Sequence, residues 1–445
     1  MSPSVGSPLT GFAARQGVAK GVHDDLFVRT LAMTDGEHSL AIVSVDVLAL
    51  SASFVHRVRR AIRSRAGLSP DCVMVAATHT HSGPVSIRTF SNPTETVDGS
   101  YMKNLSAAIV ESVDKAWQAR FPARIGSGNG VIRDLGKNRR TSDLLPVDEE
   151  VGILRIDDAQ GRARALVVNH PCHPTVLGPN NLLVSADFPG FMISRLESAL
   201  GPGGFAMFLN GAEADVSISH SSELTAIGIV SGDRTFERAA EVGGALATVV
   251  LETLPEIAPE EEGILAAATL DLVSPFKKLP SLDEAAATLV ACRKRAAELD
   301  DLASEEGKQA RKELLYAEIT YFHAREAHTD GGRVKLVLQA FRINDLFVLG
   351  LPGEAFVEIG LRIKQIAPRS TFVVGLANGY AGYIPTSEAF GAGGYEVVSA
   401  KCGPGTEALL LTGARQLYER LFTGRMAAGH PRNLSPGRAR KEAKA

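Results

Sequence analysis

The chain has 445 residues, of which 45% are hydrophobic and 22% charged. That balance suits a folded globular body of one large or two mid-sized domains and excludes a disordered or collagen-like chain. Lys and Arg number 47 against 50 Asp and Glu, and the resulting net charge of −3 argues against a basic groove for nucleic acid.

From the N-terminus onward, no basic segment followed by an apolar run is visible. The apolar stretches are short or interrupted by Asp46, Glu252 or Glu354. Neither a signal peptide nor a transmembrane segment is expected, and a cytoplasmic location follows as the expectation. Apolar runs at 40–47, 73–77, 151–156, 165–168, 205–209, 264–272, 347–351 and 371–376 are of a length that suits buried strands. Helical periodicity lies between several of them, at 53–66, 101–118, 190–200, 237–253 and 355–366. The predicted fold class is α/β, a mixed β-sheet core with flanking helices.

Residues 282–326 are rich in Ala, Glu, Lys, Arg and Leu at helical spacing, which predicts a helical hairpin inserted into a single domain spanning 1–424. Residues 425–445 are basic and punctuated by Gly and Pro, with too little apolar content to order themselves, and predict a mobile tail. The four cysteines, Cys72, Cys172, Cys292 and Cys402, stand far apart without a C-x-x-C pair, so reduced thiols are expected rather than a disulfide framework or a zinc knuckle.

The chemistry-bearing residues cluster just past the predicted strands. In V-M-V-A-A-T-H-T-H-S-G-P (73–84), His79 and His81 follow an apolar run two residues apart, a spacing that puts both rings on one face of an extended chain. In A-L-V-V-N-H-P-C-H-P-T (165–175), His170 and His173 again follow a strand-like run, so four of eleven histidines follow two strand ends. Imidazoles gathered from separate strands are how a catalytic zinc is commonly held, although loop histidines also serve as plain hydrogen-bonding groups. Cys172 reads as a small buried hydrophobe.

Glu354 comes after a strand and a Pro-Gly turn in F-V-L-G-L-P-G-E, where it is either a metal ligand, a base or a helix-start carboxylate. Three of seven tyrosines, Tyr380, Tyr383 and Tyr395, fall in a glycine-rich stretch where a phenol can reach an oxyanion or a metal. Asn210, Glu213, Asp215 and Ser217 end another strand and are open to substrate positioning, ligation or helix capping. Arg139 and Arg140 are candidates for binding an anion. No G-x-S-x-G elbow surrounds Ser217, and no P-loop or dinucleotide fingerprint is present.

Taken in this order, the T-H-T-H-S-G-P block, N-R at Asn138 and Arg139, H-P-T at His173, D-V-S at Asp215 to Ser217, P-G-E at Glu354, and the N-x-Y-x-x-Y-x-x-T and Y-E blocks resemble the neutral (non-lysosomal) ceramidase family, specifically its N-terminal catalytic domain. The resemblance covers about 11–421 in scattered blocks. It implies a zinc ion held by His79, His173, Glu354 and Tyr383 near the carboxyl ends of strands, with His81, Arg139 and Tyr395 as supporting or transition-state groups. It also puts Ser217 where that family has its proposed nucleophile.

The implied reaction is hydrolysis of the amide bond of an N-acyl amide by a zinc-activated water. The alternatives are a zinc-dependent esterase, lactonase or phosphoesterase, and a binding protein that keeps the fold without turnover. The chain departs from the family in having A-D-V-S-I where the family has G-D-V-S-P, and in showing neither the further C-terminal immunoglobulin-like domain nor the secretion signal of secreted members. The expected partner is therefore a soluble N-acyl amide or ester, with no nucleic acid.

Overall fold

This computed structural model describes residues 1–90, 96–140, 146–218, 220–299, 301, 303–367 and 369–424. The tail expected at 425–445 lies outside them.

Three sheets share one apolar centre. The first pairs Val28–Thr34 antiparallel with Ser39–Val45, which pairs parallel with Val73–Ala77. The second runs Phe205–Asn210, Ala163–His170, Glu150–Asp158, Ala123–Val131, parallel at the first pairing and antiparallel at the next two. The third runs Leu265–Pro275, Arg333–Ile343, Leu346–Gly350, Thr371–Val374, with only the last pairing parallel.

The strands are apolar on both faces because both faces are covered. Alternate residues of one strand go to different cores: Leu40 and Ile42 join Met74, Val167, Met207, Phe341 and Phe372 in the common centre. Ala41, Val43 and Val45 face outward against helices Ala52–Ala66 and Gly99–Gln118, through Val58, Ile62, Ile109 and Val113. The outer face of the second sheet is covered by Phe188–Leu200 and Phe236–Thr253. That of the third is covered by Val357–Ile366 and Thr406–Phe422. The predicted mixed-sheet α/β class is thus what the chain adopts.

Strand Ala123–Val131 carries no apolar-run signal, since Gly126, Gly128 and Gly130 occupy alternate positions. A Cβ at Gly128 would stand 2.6 Å from Ile257, and one at Gly130 2.6 Å from Val249, so this strand exists by letting a helix and its following turn come close. Within 282–326, helices Leu282–Ala297 and Glu305–Asp330 lie against each other. The first opens on a reciprocal capping box between Ser281 and Glu284.

Two minimal pairings at the rim matter most for function. Glu354–Ala355 pairs parallel with Tyr383–Ile384, placing Glu354 beside Tyr383. Lys137–Asn138 pairs antiparallel with Val216–Ser217, which swings Arg139 over the same rim.

Candidate metal centre

Five segments leave the carboxyl ends of strands and converge. The strand Val73–Ala77 leads to His79 and His81, Ala163–His170 to His173, Phe205–Asn210 to Glu213, Leu346–Gly350 to Glu354, and Thr371–Val374 to the tyrosine stretch. Ligand sites at strand carboxyl ends are the general rule for open α/β sheets.

The two histidines of the first segment do not meet through the period of an extended strand, as their spacing predicts. The strand stops at Ala77, and His79 takes a left-handed conformation with φ of +73°. Its backbone N–H donates to Val47 O and that of Thr78 to Val45 O, so the chain bends along the neighbouring segment while remaining tied to it. A non-glycine residue in this region is uncommon and is held there by its surroundings. The bend still brings the His81 Nε2 to 3.3 Å from that of His79.

Both outer imidazoles are oriented by backbone carbonyls. His79 Nδ1 lies 2.8 Å from Leu48 O, and His173 Nδ1 lies 2.8 Å from Glu213 O. A carbonyl only accepts, so each Nδ1 carries the proton and each Nε2 presents its lone pair, the arrangement found when imidazole binds a metal. Those two Nε2 atoms stand 3.4 and 3.2 Å from one oxygen, Oε2 of Glu354. The other oxygen of Glu354 accepts from the Tyr380 hydroxyl at 2.6 Å.

Acceptors facing acceptors at such distances repel unless a proton or a cation lies among them. For a tetrahedral ion bound at about 2.0–2.1 Å, neighbouring ligand atoms are ~3.3–3.4 Å apart, which is the spacing of these atoms. His79, His81, His173 and Glu354 therefore form a group able to hold a metal ion, and a nitrogen and oxygen donor set suits zinc. Both imidazoles are 2% exposed or less.

The electrostatics follow burial. Desolvation, reinforced by the neighbouring imidazoles, takes His81 well below the usual histidine range. For His173, burial and then the Arg139 charge bring the value to about 3. Glu354 is pushed upward by burial but held well below the ordinary carboxylate range by His79 and His173. Burial and the Glu354 charge keep the phenols of Tyr380 and Tyr383 protonated far above their usual value.

Tyr383 has its ring beside this group, and its hydroxyl accepts from Arg139 Nη2 at 3.0 Å. Arg139 also donates through Nε to Glu396 at 3.0 Å. Tyr395 stacks edge-on to Tyr383, with ring centroids 6.2 Å apart, and lines the same cleft. His81 packs on Phe12 at a centroid distance of 4.8 Å. It sits so close to Gly11, at φ +105°, that a Cβ there would lie 2.5 Å from its ring.

Not every candidate reaches the cleft. Ser217 is buried, donates its hydroxyl to His220 O at 2.9 Å and is not among the lining residues. His170 ends its strand with Nδ1 on Glu150 O at 3.0 Å. Cys172 is fully buried, its thiol pushed up by desolvation. Arg140 lies 3.8 Å from Glu396. Asn210 and Asp215 brace the scaffold: Asn210 Nδ2 donates to Thr78 O, and Asp215 accepts from Val357 N and Asn138 Nδ2.

Three further residues stand at the site outside the set that the family resemblance implies. Glu213 has its carboxylate within 4.8 Å of the ligand atoms of His79 and Glu354. Tyr380, the first phenol of the tyrosine stretch, holds Glu354. His220 lines the cleft with an Nε2 that has no partner among the described residues, and it lacks any strand-end signal to mark it.

Comparison with known proteins agrees with the motif resemblance. The family model for neutral/alkaline non-lysosomal ceramidase, N-terminal, matches residues 2–206. The neutral ceramidase of Pseudomonas aeruginosa is 25% identical over an alignment 471 positions long, gaps included, covering 93% of this chain and 68% of that protein. Neutral ceramidase A of Dictyostelium discoideum is 27% identical over 242 residues, covering 48% of this chain and 34% of that one. The crystal structure of the Pseudomonas aeruginosa neutral ceramidase shares the fold, with a TM-score of 0.72 at 20% identity over 97% of this chain and 75% of that chain. In sequence this chain is similar to the neutral, non-lysosomal ceramidases, and it shares their fold.

Proposed function

We propose that the chain is a hydrolase that cleaves the amide bond of an N-acyl amide, a ceramidase-like reaction, using a zinc ion held by His79, His173, Glu354 and Tyr383. The observation that carries this reading is the convergence of two carbonyl-oriented imidazoles on one Glu354 oxygen at 3.4 and 3.2 Å, inside a cleft whose far wall is Arg139 and two phenols. A zinc ion bound there would supply Lewis acidity, polarising the amide carbonyl and lowering the pKa of an attacking water to about 7.

The residues themselves account for the rest. Arg139 holds the Tyr383 hydroxyl in place and keeps its own charge through Glu396, against the cost of burial. Tyr395 stays protonated and can donate to the oxygen on which negative charge develops. An amine is a poor leaving group until its nitrogen is protonated. His81, which lines the cleft, is placed to pass a proton to that nitrogen. Phe12, Leu48 and Phe90 give the cleft apolar walls, which fits an acyl chain. None of the helices among the described residues is long and apolar enough to cross a membrane, so a lipid amide would have to be taken from solution or from a surface.

A panel of N-acyl amides, ceramides included, with matched esters and phosphoesters tests the reading. Amide turnover that is abolished by a chelator and restored by zinc is the expected result. Cleavage of esters alone would move the assignment to an esterase, and turnover indifferent to chelation would overturn the metal.

A further inference from the structure

Glu213 is a buried acid with nothing to hold it. It is 0% exposed, and neither carboxylate oxygen has a hydrogen-bond donor from any other described residue. A charged carboxylate taken out of water is costly unless it is paired or binds a metal. The nearby Arg139 acts on it through charge at a distance and gives it no hydrogen bond, because Nε goes to Glu396 and Nη2 to Tyr383.

Its surroundings are the acceptors of the metal centre: a Glu213 oxygen, His79 Nε2 and a Glu354 oxygen all lie within 4.8 Å of one another. The same residue fixes the ring of His173 through its backbone carbonyl. Space for the carboxylate is kept by Gly375, where a Cβ would stand 2.6 Å from Glu213 Oε2 and 2.3 Å from Gly211 O.

We infer that the Glu213 carboxylate is a further ligand of the cation held at His79, His173 and Glu354, so that this centre has two carboxylates whose combined charge matches one divalent ion. The inference rests on the metal-binding reading above and adds a donor that the family resemblance does not assign. Chemically, a second anionic ligand strengthens cation binding and makes the bound ion a milder Lewis acid than one held by a single carboxylate.

The test uses the full-length protein, stripped of metal and titrated with Zn²⁺ against a chromophoric chelator, then with Co²⁺ for its visible spectrum. Wild type, Glu213→Gln, Glu213→Asp and Glu354→Gln are compared. Glu213→Gln is expected to weaken zinc by more than the ~100-fold that loss of a merely orienting group costs, and to change the cobalt spectrum. Glu213→Asp, which keeps the charge but shortens the reach, should fall between it and wild type.

The metal-free Glu213→Gln protein should melt no lower than metal-free wild type, since the amide replaces a carboxylate that has no donor. Any lost affinity is then not a folding defect. Wild-type zinc affinity and an unchanged cobalt spectrum in Glu213→Gln, with Glu354→Gln impaired, would overturn the inference and leave the metal centre standing. If Glu213→Gln does not fold, wild-type affinity in Glu213→Asp overturns it equally. A wild type that takes up no zinc would bring down both.

Discussion

The two walls of the cleft are equally buried and solve the problem of buried charge in opposite ways. On one wall Arg139 and Glu396, with side chains 5% and 3% exposed, meet at 3.0 Å, and Arg140 stands 3.8 Å from the same carboxylate. That wall pairs its opposite charges within itself, and it presents fixed donors and phenols. On the other wall His79, His173, Glu354 and Glu213 turn acceptors toward acceptors, and only their outer atoms are bonded, to backbone carbonyls and to Tyr380. The contrast teaches that the acceptor wall could hold a cation, whereas the arginine wall already pairs its charges, which suits the proposed role of meeting charge developed in a reaction.

Breaking the acceptor wall should have the largest effect. Glu354→Ala or His79→Ala is expected to lose zinc and to lower turnover by roughly 10,000-fold, the scale of removing a core catalytic group, as read by metal analysis and single-substrate kinetics. Wild-type zinc content in both variants would dissolve the distinction between the walls.

On the arginine wall, Arg139→Met should keep zinc yet reduce kcat by ~100- to 1,000-fold, because Tyr383 loses its donor. It should also cost about 3–5 kcal/mol of stability by leaving Glu396 buried without its hydrogen-bonded cation. Denaturant melts beside kinetics separate the two effects. Tyr395→Phe removes only a hydroxyl, and about 10- to 100-fold in kcat with zinc retained is expected; unchanged turnover would remove it from the mechanism.

Asp46, beneath the first histidine segment, sharpens the comparison from the side of stability. Its carboxylate accepts from Phe27 N and Thr78 Oγ1, yet burial raises it from 3.8 to about 6. The folded chain thus holds a proton that the unfolded chain releases. This stabilisation is fully present below pH 3.8 and is lost as the pH rises through about 6. Asp46→Asn should flatten that fall by on the order of 2–3 kcal/mol in melts across the window.

The smallest effect is expected at Ser217, whose hydroxyl is committed to the His220 carbonyl. Ser217→Ala should cost about 1 kcal/mol of stability and leave turnover close to wild type. A large loss of turnover would put this serine back into the chemistry.

How much of the site was legible depended on whether a residue's type and neighbours carried a signal. His79 and His173 could be picked out because each follows an apolar run, so the strand-end rule points at them, whereas Glu354 alone was open to a helix-start reading and was named a ligand through the motif resemblance. Glu213 was visible only as one of four polar residues after a strand. What marks it out is the absence of any donor from another residue around a fully buried carboxylate, which no local pattern encodes. Glu396 was silent because its role comes from pairing across 174 and more residues of chain, in the Ser222 and Arg139 bonds to it.

In the fold, strand 123–131 was invisible for the same reason. Its alternating glycines answer to Ile257 and Val249, residues far away in sequence.

By itself the sequence determined the α/β class, most strand positions of the core and the likeness to the neutral ceramidases. These follow from periodicity, turn chemistry and motif order, all of which are local. Only the tertiary structure decided that His79 leaves the extended region, that Tyr380 rather than Tyr383 donates to Glu354, that Ser217 turns away from the cleft and that Glu213 stands with the metal group. Each of those depends on which groups are left without water and without partners once distant segments have packed, and burial of that kind is a property of the assembled chain.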